Sequence, residues 1–403
     1  MKPITDMAPI PPVCITGAGI ISAIGRGKAE TLLSLRQGRS GIGPIHYLDT
    51  SHADEFPSGE VKASTEALRE ELSLPEANRT TLLGICAISE ALQEAGLADT
   101  RSVSLISGTT VGGMDITESV YPAFLEGKDV GQALRGHHCG ASTHAMAAYF
   151  GGFQSTATLS TACSSAANAI IRGAEMIQTG RAGICVVGGS ESLSKFHLNG
   201  FNTLMILDRQ PCRPFDAHRA GLNLGEGAGY LVLESQASAR KRGAKVLGYL
   251  TGYGNACDAY HQTASSPEGE GAFLAMSQAL ALAGLQPHDI DYINAHGTGT
   301  PNNDASESVA IQRLFGDHYP PVSSTKSFTG HTTSASGGIE AVICLLALQE
   351  QLLPPNLRFT ESFEGGIVPV TRSKAERPIR HVLSNAFGFG GNDSSLILSK
   401  ETV

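Results

Sequence analysis

Three residues stand where a side chain could do chemistry: Cys163, His296 and His331. Cys163 lies in the segment STACSSAAN, at the junction between a strand-like run and a predicted helix. The free N–H groups at a helix start lower the pKa of a thiol, so Cys163 is the predicted nucleophile. The alternative is a buried cysteine that only packs. Small residues around Cys163 favour the nucleophile, because an incoming substrate needs room at the backbone.

The two histidines lie in similar settings. His296 follows the strand-like segment DYINA and opens a glycine-rich turn, and His331 ends STKSFTGH just before a helix predicted to begin near Ser334. A single histidine in such a turn is more often structural. Two of them, together with a cysteine at a helix start, indicate one site for nucleophilic and acid–base chemistry.

Strand-like runs that end in glycine-rich turns must position these residues. Such runs occur near residues 13, 103, 183, 290 and 381. Apolar residues recur at helical spacing from Thr81 to Gly96, from Ala166 to Gly180 and from Ala335 onward. The alternation of the two patterns predicts an α/β protein.

Two segments resemble each other and indicate an internal duplication. They are LSTACSSAANAIIRGAEMI from Leu159 and SSTKSFTGHTTSASGGIEAVICLLAL from Ser323, each a strand-like start, a polar turn and a helix rich in small residues. The predicted halves are residues 1–250, with Cys163, and residues 251–403, with His296, Lys326 and His331. Because no low-complexity linker separates them, we expect one compact unit.

Composition excludes several classes of function. The chain has 403 residues, 17% charged and 41% hydrophobic, and a formal net charge of −9. Without a basic run, the charge argues against a nucleic-acid or anionic-membrane binder. No apolar run approaches the roughly 20 residues of a membrane helix. The segments GEGAG and GTGTPN lack the full spacing of nucleotide-binding loops.

Cysteine usage and the N-terminus predict a cytoplasmic protein. The eight cysteines are scattered without a C-x-x-C pair, which is typical of a reducing compartment. The first 19 residues carry Asp6 and several prolines, so they lack the apolar core of a signal peptide.

Five motifs together resemble the β-ketoacyl-acyl carrier protein synthases, condensing enzymes of the thiolase-like superfamily. They are TACSSA at Cys163, CRPFDAHRAGLNLGEGAGYLVLE from Cys212, NAHGTGTPNNDASE from Asn294, STKSFTGH to His331 and NAFGFGGND from Asn385. The resemblance covers nearly the whole chain. It implies a five-layered αβαβα fold of two duplicated halves with mixed sheets.

The resemblance also implies a decarboxylative condensation. Cys163 would take an acyl chain from the phosphopantetheine thioester of an acyl carrier protein. Backbone N–H groups of Cys163 and Phe389 would hold the oxyanion, and Phe389 would also gate the acyl pocket. A malonyl carrier thioester would then lose its carboxylate, while His296 and His331 donate hydrogen bonds to the enolate oxygen.

Further residues match supporting positions of the family. Lys326 matches the lysine that orients the site and adds a positive field, which would also keep nearby histidines from protonating. Glu307 matches the glutamate that holds this lysine and the backbone. Thr298 and Thr300 match hydroxyls that bond the pantetheine arm, although threonines in this turn could equally cap the backbone. No cofactor is expected beyond the carrier's phosphopantetheine.

Departures from the family pattern point to a specialised relative. Ala220 replaces the aspartate that usually follows an arginine, residues 334–337 replace G-A-A-G, and Asn392 with Asp393 replaces Thr-Asn. A ketosynthase of a polyketide or aryl-polyene pathway is therefore an alternative to fatty acid elongation. Val111 matches a pocket position where many relatives carry a bulkier residue, so we expect a longer or wider pocket.

A histidine-rich stretch could suggest a metal site. Its members are His137, His138, Cys139 and His144. Adjacent side chains of a regular element cannot all reach one tetrahedral ion, so no metal is expected. The resemblance places this stretch near the dimer interface and the acyl pocket.

Two other classes of protein compete with a condensing enzyme. A silent partner subunit that sets chain length typically loses the cysteine, which this chain keeps. A thiolase uses a second cysteine near the C-terminus, whereas the last cysteine here is Cys344, inside a predicted helix.

The resemblance also implies protein partners. We expect an acyl carrier protein and a dimer, with an identical or a related subunit. Carrier proteins are acidic, so a local basic patch should bind them. The candidates for that patch are Lys62, Arg69, Arg213 and Arg219.

Overall fold

A computed structural model describes residues 11–402, in which strands and helices alternate. The strands are β1 Val13–Ser22, β2 Gly25–Arg26, β3 Ser104–Gly108, β4 Ser155–Leu159, β5 Ile184–Glu191, β6 Gly227–Glu234, β7 Gly248–Cys257, β8 Tyr292–Asn294, β9 Val322–Ser323, β10 His381–Gly388 and β11 Asn392–Ser399. The helices are α1 Lys28–Gln37, α2 Thr65–Leu72, α3 Arg79–Ala95, α4 Met114–Leu125, α5 Gly131–Leu134, α6 Gly140–Tyr149, α7 Ser165–Gln178, α8 Lys195–Thr203, α9 Gln236–Arg242, α10 Glu270–Ala283, α11 Pro301–Phe315, α12 Lys326–Thr329 and α13 Ser336–Glu350. The prediction that residues 1–19 do not form a signal peptide rests partly on residues 1–10, which lie outside the described residues.

The strand order repeats in the two halves of the sheet. The path runs β4-β3-β5-β6-β1 and then β7-β11-β10-β8-β9. In each half the first three strands counted from the outer edge are parallel, and the next two are antiparallel. The halves join where Val13 of β1 pairs with Leu250 of β7. The α/β fold and the duplication are therefore confirmed, while the predicted division at residue 250 lies inside β7.

Three layers of helices pack against the two halves of the sheet: one layer lies between the halves, and one covers the outer face of each half. α7 and α13 lie between the halves, since α7 contacts β5 and β11 and α13 contacts β6 and β10. α3 covers the outer face of the first half, and α10 covers that of the second. Glycines allow both outer contacts: Gly17 of β1 and Gly252 of β7 each face a helix carbonyl with which a Cβ would overlap. This is the five-layered arrangement that the resemblance implied.

Capping residues mark where the predicted helix α3 begins and ends. α3 begins after Asn78, whose side chain accepts a hydrogen bond from the N–H of Thr81 at 3.0 Å, and it ends at Gly96 in the left-handed conformation. The two middle-layer helices begin close to Cys163 and His331, respectively. The buried centre of the molecule thus carries both chemically important segments.

None of the helices within residues 11–402 is long and apolar enough to cross a membrane. All eight cysteines, which fall in this range, are free thiols.

Candidate active site

Cys163 lies in a tight turn between β4 and α7. Ala162, directly before it, has a φ of 52°, an unusual value for a residue with a side chain. The Cys163 side chain is buried, and its Sγ lies 3.1 Å from Nε2 of His331. The backbone N–H of Phe389 acts on the same thiol and lowers its pKa. The turn therefore presents the sulfur to a histidine and to an amide donor.

The prediction that the helix start lowers the pKa of Cys163 is wrong for the free protein. Burial raises the pKa of this thiol to about 11, although Lys326 and the N–H of Phe389 act in the opposite direction. Loss of water around a charge outweighs those favourable interactions. The resting cysteine is thus a thiol that must lose its proton during attack.

Backbone and side-chain contacts fix both histidines. The N–H of His331 donates to the carbonyl of Asn223 at 2.7 Å, and its Nδ1 lies 3.1 Å from Oγ of Ser336. Glu307, on α11, accepts hydrogen bonds from the backbone N–H groups of His296 and Gly297, each at 2.8 Å. The two imidazole rings meet edge to face, with centroids 5.3 Å apart.

Both imidazoles are neutral at pH 7. Burial is the main cause that lowers their pKa values well below 6.5, and the charge of Lys326 lowers them further. The expected effect of Lys326 is thus confirmed, with burial as the larger contribution. Within the described residues, Nδ1 of His296 has no hydrogen-bond partner. Neutral rings of this kind can accept a proton or donate a hydrogen bond, depending on the tautomer.

Lys326 is paired with a residue that the sequence reasoning missed. Its Nζ lies 2.5 Å from Oε1 of Glu340 on α13, and both side chains are almost fully buried. The expectation that Glu307 holds this lysine is wrong, because the Glu307 carboxylate is occupied by the His296 turn and by Asn385. Its expected support of the backbone is confirmed. A lone glutamate in the apolar segment IEAVICLLAL was the available signal, since a buried charge needs a partner.

The predicted nucleophile and the two predicted histidines share one cavity of about 320 Å³. Cys163, His296 and His331 lie on its wall, together with the two threonines of the turn after β8. The hydroxyls of Thr298 and Thr300 lie 2.8 Å apart. The structure therefore brings together the side chains that the sequence predicted from both halves.

Phe389 lines the same cavity and has an aromatic neighbour that the sequence did not reveal. Its ring stacks on Phe201 of α8, with centroids 5.8 Å apart and planes 20° apart. The turn that holds Phe389 joins β10 to β11. A gating motion of Phe389 would have to separate these two rings.

Val111 lies in the loop after β3, is half-buried and is not among the residues that line the described cavity. The loop is held by Glu191, whose carboxylate accepts hydrogen bonds from Thr109, from Thr110 and from Ser334. Glu191 thus links this loop to the turn after His331. The expected effect of Val111 on pocket size stays a prediction.

The basic candidates differ in their availability. Lys62 is exposed and donates to the carbonyl of Gly41, while Arg69 and Arg213 are half-buried. The side chain of Arg219 is only 7% exposed, with its guanidinium 3.6 Å from the centre of the Phe363 ring. Arg219 is therefore the least available of the four candidates, because its guanidinium is engaged by Phe363 and Asp304, and carrier contact by any of the four stays a prediction.

The histidine-rich stretch occupies α6 and the segment before it. Nδ1 of His137 lies 2.7 Å from the hydroxyl of Thr117, and the rings of His138 and His144 are 6.2 Å apart. Within residues 11–402 no group of three or more potential metal ligands comes together.

Comparison with known proteins identifies the family. The model described as Beta-ketoacyl synthase, N-terminal domain matches residues 11–239, and the model for the C-terminal domain matches residues 247–360. The chain is 36% identical over 395 residues to Nodulation protein E of Rhizobium meliloti (strain 1021), covering 95% of this chain and 98% of that protein. It is 34% identical over 410 residues to the 3-oxoacyl-[acyl-carrier-protein] synthase 2 of Synechocystis sp., covering 96% and 98%.

A solved structure agrees with these relatives. The ishigamide ketosynthase/chain length factor superposes with a TM-score of 0.91 at 31% identity, covering 97% of this chain and 100% of that one. The chain belongs to the beta-ketoacyl synthase family. It is an acyltransferase of the condensing type, with the thiolase-like fold.

Proposed function

We propose that this protein is a 3-oxoacyl-acyl carrier protein synthase that condenses an acyl chain on Cys163 with a malonyl unit. The observation that carries the proposal is the 3.1 Å contact between Cys163 Sγ and His331 Nε2, beside His296, in a cavity open to a substrate arm. The name of the Synechocystis relative supports carrier-protein thioesters as substrates. Fatty acid and polyketide pathways both use this reaction.

The first half of the reaction transfers the acyl chain. Nε2 of His331 accepts the proton of Cys163 as the sulfur attacks the thioester carbonyl. The oxyanion receives hydrogen bonds from the backbone N–H groups of Phe389 and Cys163. The bond to the carrier sulfur then breaks, and that sulfur leaves with the proton. Thr298 and Thr300 hold the pantetheine arm.

The second half forms the new carbon–carbon bond. The malonyl carboxylate leaves as CO₂, and its bonding electrons form an enolate whose oxygen accepts hydrogen bonds from His296 and His331. For His331 this requires the tautomer that carries the proton on Nε2, which the ring adopts once Cys163 is acylated. The enolate carbon attacks the acyl carbon on Cys163. The acyl oxygen carries the negative charge of the addition intermediate and accepts hydrogen bonds from the backbone N–H groups of Phe389 and Cys163. The carbon–sulfur bond then breaks, its electron pair returns to Cys163, and the resulting thiolate takes up a proton from solvent to restore the thiol. The product is a 3-oxoacyl chain on the carrier protein.

The proposal includes no cofactor of the enzyme's own, because the proton acceptor and the hydrogen-bond donors of both steps are groups of the protein. Retention of activity after dialysis against a metal chelator tests this point. Free cysteines in the described chain support a cytoplasmic site of action.

A second subunit is proposed to cover the β4 edge. β4 ends the strand path, and its first three residues are exposed. α6, which contacts β4, carries the exposed residue Tyr149, and α4 and α5 carry further exposed apolar residues; they are Tyr121, Phe124, Leu125 and Leu134. An identical chain and a related chain-length-setting subunit both fit it. The name of the superposed ketosynthase/chain length factor supports the related subunit.

The condensation test uses acyl and malonyl carrier proteins with the wild-type enzyme. Release of CO₂ and a carrier whose mass equals that of the 3-oxoacyl product are expected. His296→Ala should still accept the acyl chain on Cys163 yet release little CO₂, because His296 acts on the malonyl thioester. Condensation by wild type and His296→Ala at equal rates would contradict the assigned role. Absence of product with wild type and every primer would contradict the proposed function.

A further inference from the structure

His197 is a buried imidazole that the proposed reaction does not use. Its side chain is 4% exposed, and burial lowers its pKa to about 4, so it is neutral at pH 7. Its Nδ1 lies 3.0 Å from the hydroxyl of Ser194, the residue that caps α8. Its Nε2 is buried and has no hydrogen-bond partner within residues 11–402. A buried polar atom without a partner calls for an explanation, such as a ligand that completes it.

His197 packs beside residues that line the substrate cavity. His197, Phe201 and Leu204 stand at i, i+4 and i+7, on one face running from α8 into the residue after it. Phe201 and Leu204 line the cavity, and the ring of Phe201 is 6.4 Å from that of His197. His197 therefore lies next to the cavity wall, one helical turn before Phe201.

His197 also lies within electrostatic reach of the reacting groups. After burial and Lys326, His197 is the next cause that lowers the pKa of His331, the residue in contact with Cys163. The surroundings are otherwise apolar: Leu198 and Leu222 are buried in one cluster, against which Phe201 packs. One polar atom thus stands in a wall suited to hydrocarbon.

We propose that His197 is a specificity-determining residue whose Nε2 hydrogen-bonds an oxygen carried by the acyl chain on Cys163. The inference rests on the proposed function and names its substrate class: acyl chains that bear a hydroxyl or keto group. A plain alkyl chain would leave Nε2 unpaired, and a site with an unpaired polar group discriminates against such a substrate. A hydroxyl pairs with either imidazole tautomer, whereas a keto group requires the proton on Nε2.

The test compares primers of one chain length on the carrier protein: saturated, hydroxylated and keto forms, oxygenated at the β or the δ carbon. Rates of acylation are measured by intact mass for wild type, His197→Leu and His197→Gln. Asn199→Ala, on the exposed face of α8, is the matched control. Thermal unfolding of each variant shows whether it folds, and His197→Gln carries the test if His197→Leu does not.

Wild type and the control should prefer at least one oxygenated primer by about tenfold or more. His197→Leu should lose that preference by accepting the saturated primer faster, and His197→Gln should keep part of it. A preference for the hydroxylated primers alone identifies the tautomer without a proton on Nε2 of His197. A preference that includes the keto primers identifies the tautomer with the proton on Nε2. Acylation of wild type without discrimination, or with a preference that His197→Leu retains, would overturn this inference alone. Failure of every primer would overturn the proposed function and this inference with it.

Discussion

Breaking the buried pair of Lys326 and Glu340 is expected to destabilise the protein strongly. Glu340→Leu leaves the Lys326 ammonium group 1% exposed and without its carboxylate. Removal of one partner of a buried ion pair costs about 3–5 kcal/mol of folding free energy, whereas replacing both by apolar residues is often neutral. The double variant Lys326→Met/Glu340→Leu should therefore be more stable than either single variant.

The coupling energy follows from the same geometry. The two single changes and the double change form a cycle whose interaction energy we expect to be about 3 kcal/mol. Burial raises the pKa of Glu340 to about 7 against the influence of Lys326, so the carboxylate is ionised above that pH. The cycle should accordingly be measured near pH 8.

Urea unfolding of wild type, of the two single variants and of the double variant measures this coupling energy. A matched control cycle combines Lys326→Met with Glu307→Gln instead of Glu340→Leu. Glu307 bonds the His296 turn rather than the lysine, so its coupling to Lys326 should stay below about 0.5 kcal/mol. A large coupling with Glu307 and none with Glu340 would refute the assignment of the ion pair.

Three further predictions concern the thiol of Cys163, the turn that carries Phe389 and the strand β11 that follows this turn. Because burial raises the pKa of Cys163 to about 11, its alkylation by iodoacetamide should keep accelerating up to about pH 10; a plateau below about pH 8 would contradict this. Burial, with Asp258 next, raises the pKa of Asp393 to about 8. Because folding raises the pKa of Asp393, the free energy of unfolding of the protein decreases as the pH rises from the unfolded pKa of this carboxyl group to its folded pKa. Asp393→Asn should therefore match wild type near pH 4 and be about 5 kcal/mol more stable by about pH 9, because about four pKa units at about 1.4 kcal/mol each separate the folded from the unfolded carboxyl group, whereas parallel unfolding curves would contradict the shift. Gly391 has a φ of 79°, so Gly391→Ala should cost about 1–2 kcal/mol in thermal unfolding and slow acylation of Cys163, with unchanged stability as the opposing result.

The sequence predicted what depends on local pattern. Helix α3 could be placed from its apolar spacing and from Gly96, because both act within a few residues. The duplication could be read because each half repeats a strand-like start, a turn and a helix. The segments of Cys163, His296 and His331 were recognisable because each motif is continuous in the chain.

Features that depend on long-range packing could not be read in this way. Glu340 meets Lys326 only after α13 is buried between the halves, and a family pattern suggested Glu307 instead. The raised pKa of Cys163 reflects the depth of its turn, which no local signal reports. The burial of Arg219 depends on Phe363, far along the chain. Each miss thus concerns how much water a charge loses on folding.

The most direct test of the central claim is the intact mass of the protein after incubation with acyl carrier proteins of different chain lengths and with aromatic primers. Wild type should gain the mass of one acyl group, and Cys163→Ala should gain none. An equal gain by Cys163→Ala would place the nucleophile elsewhere. No gain by wild type with any primer would contradict the account and favour a subunit without acyl-transfer activity of its own.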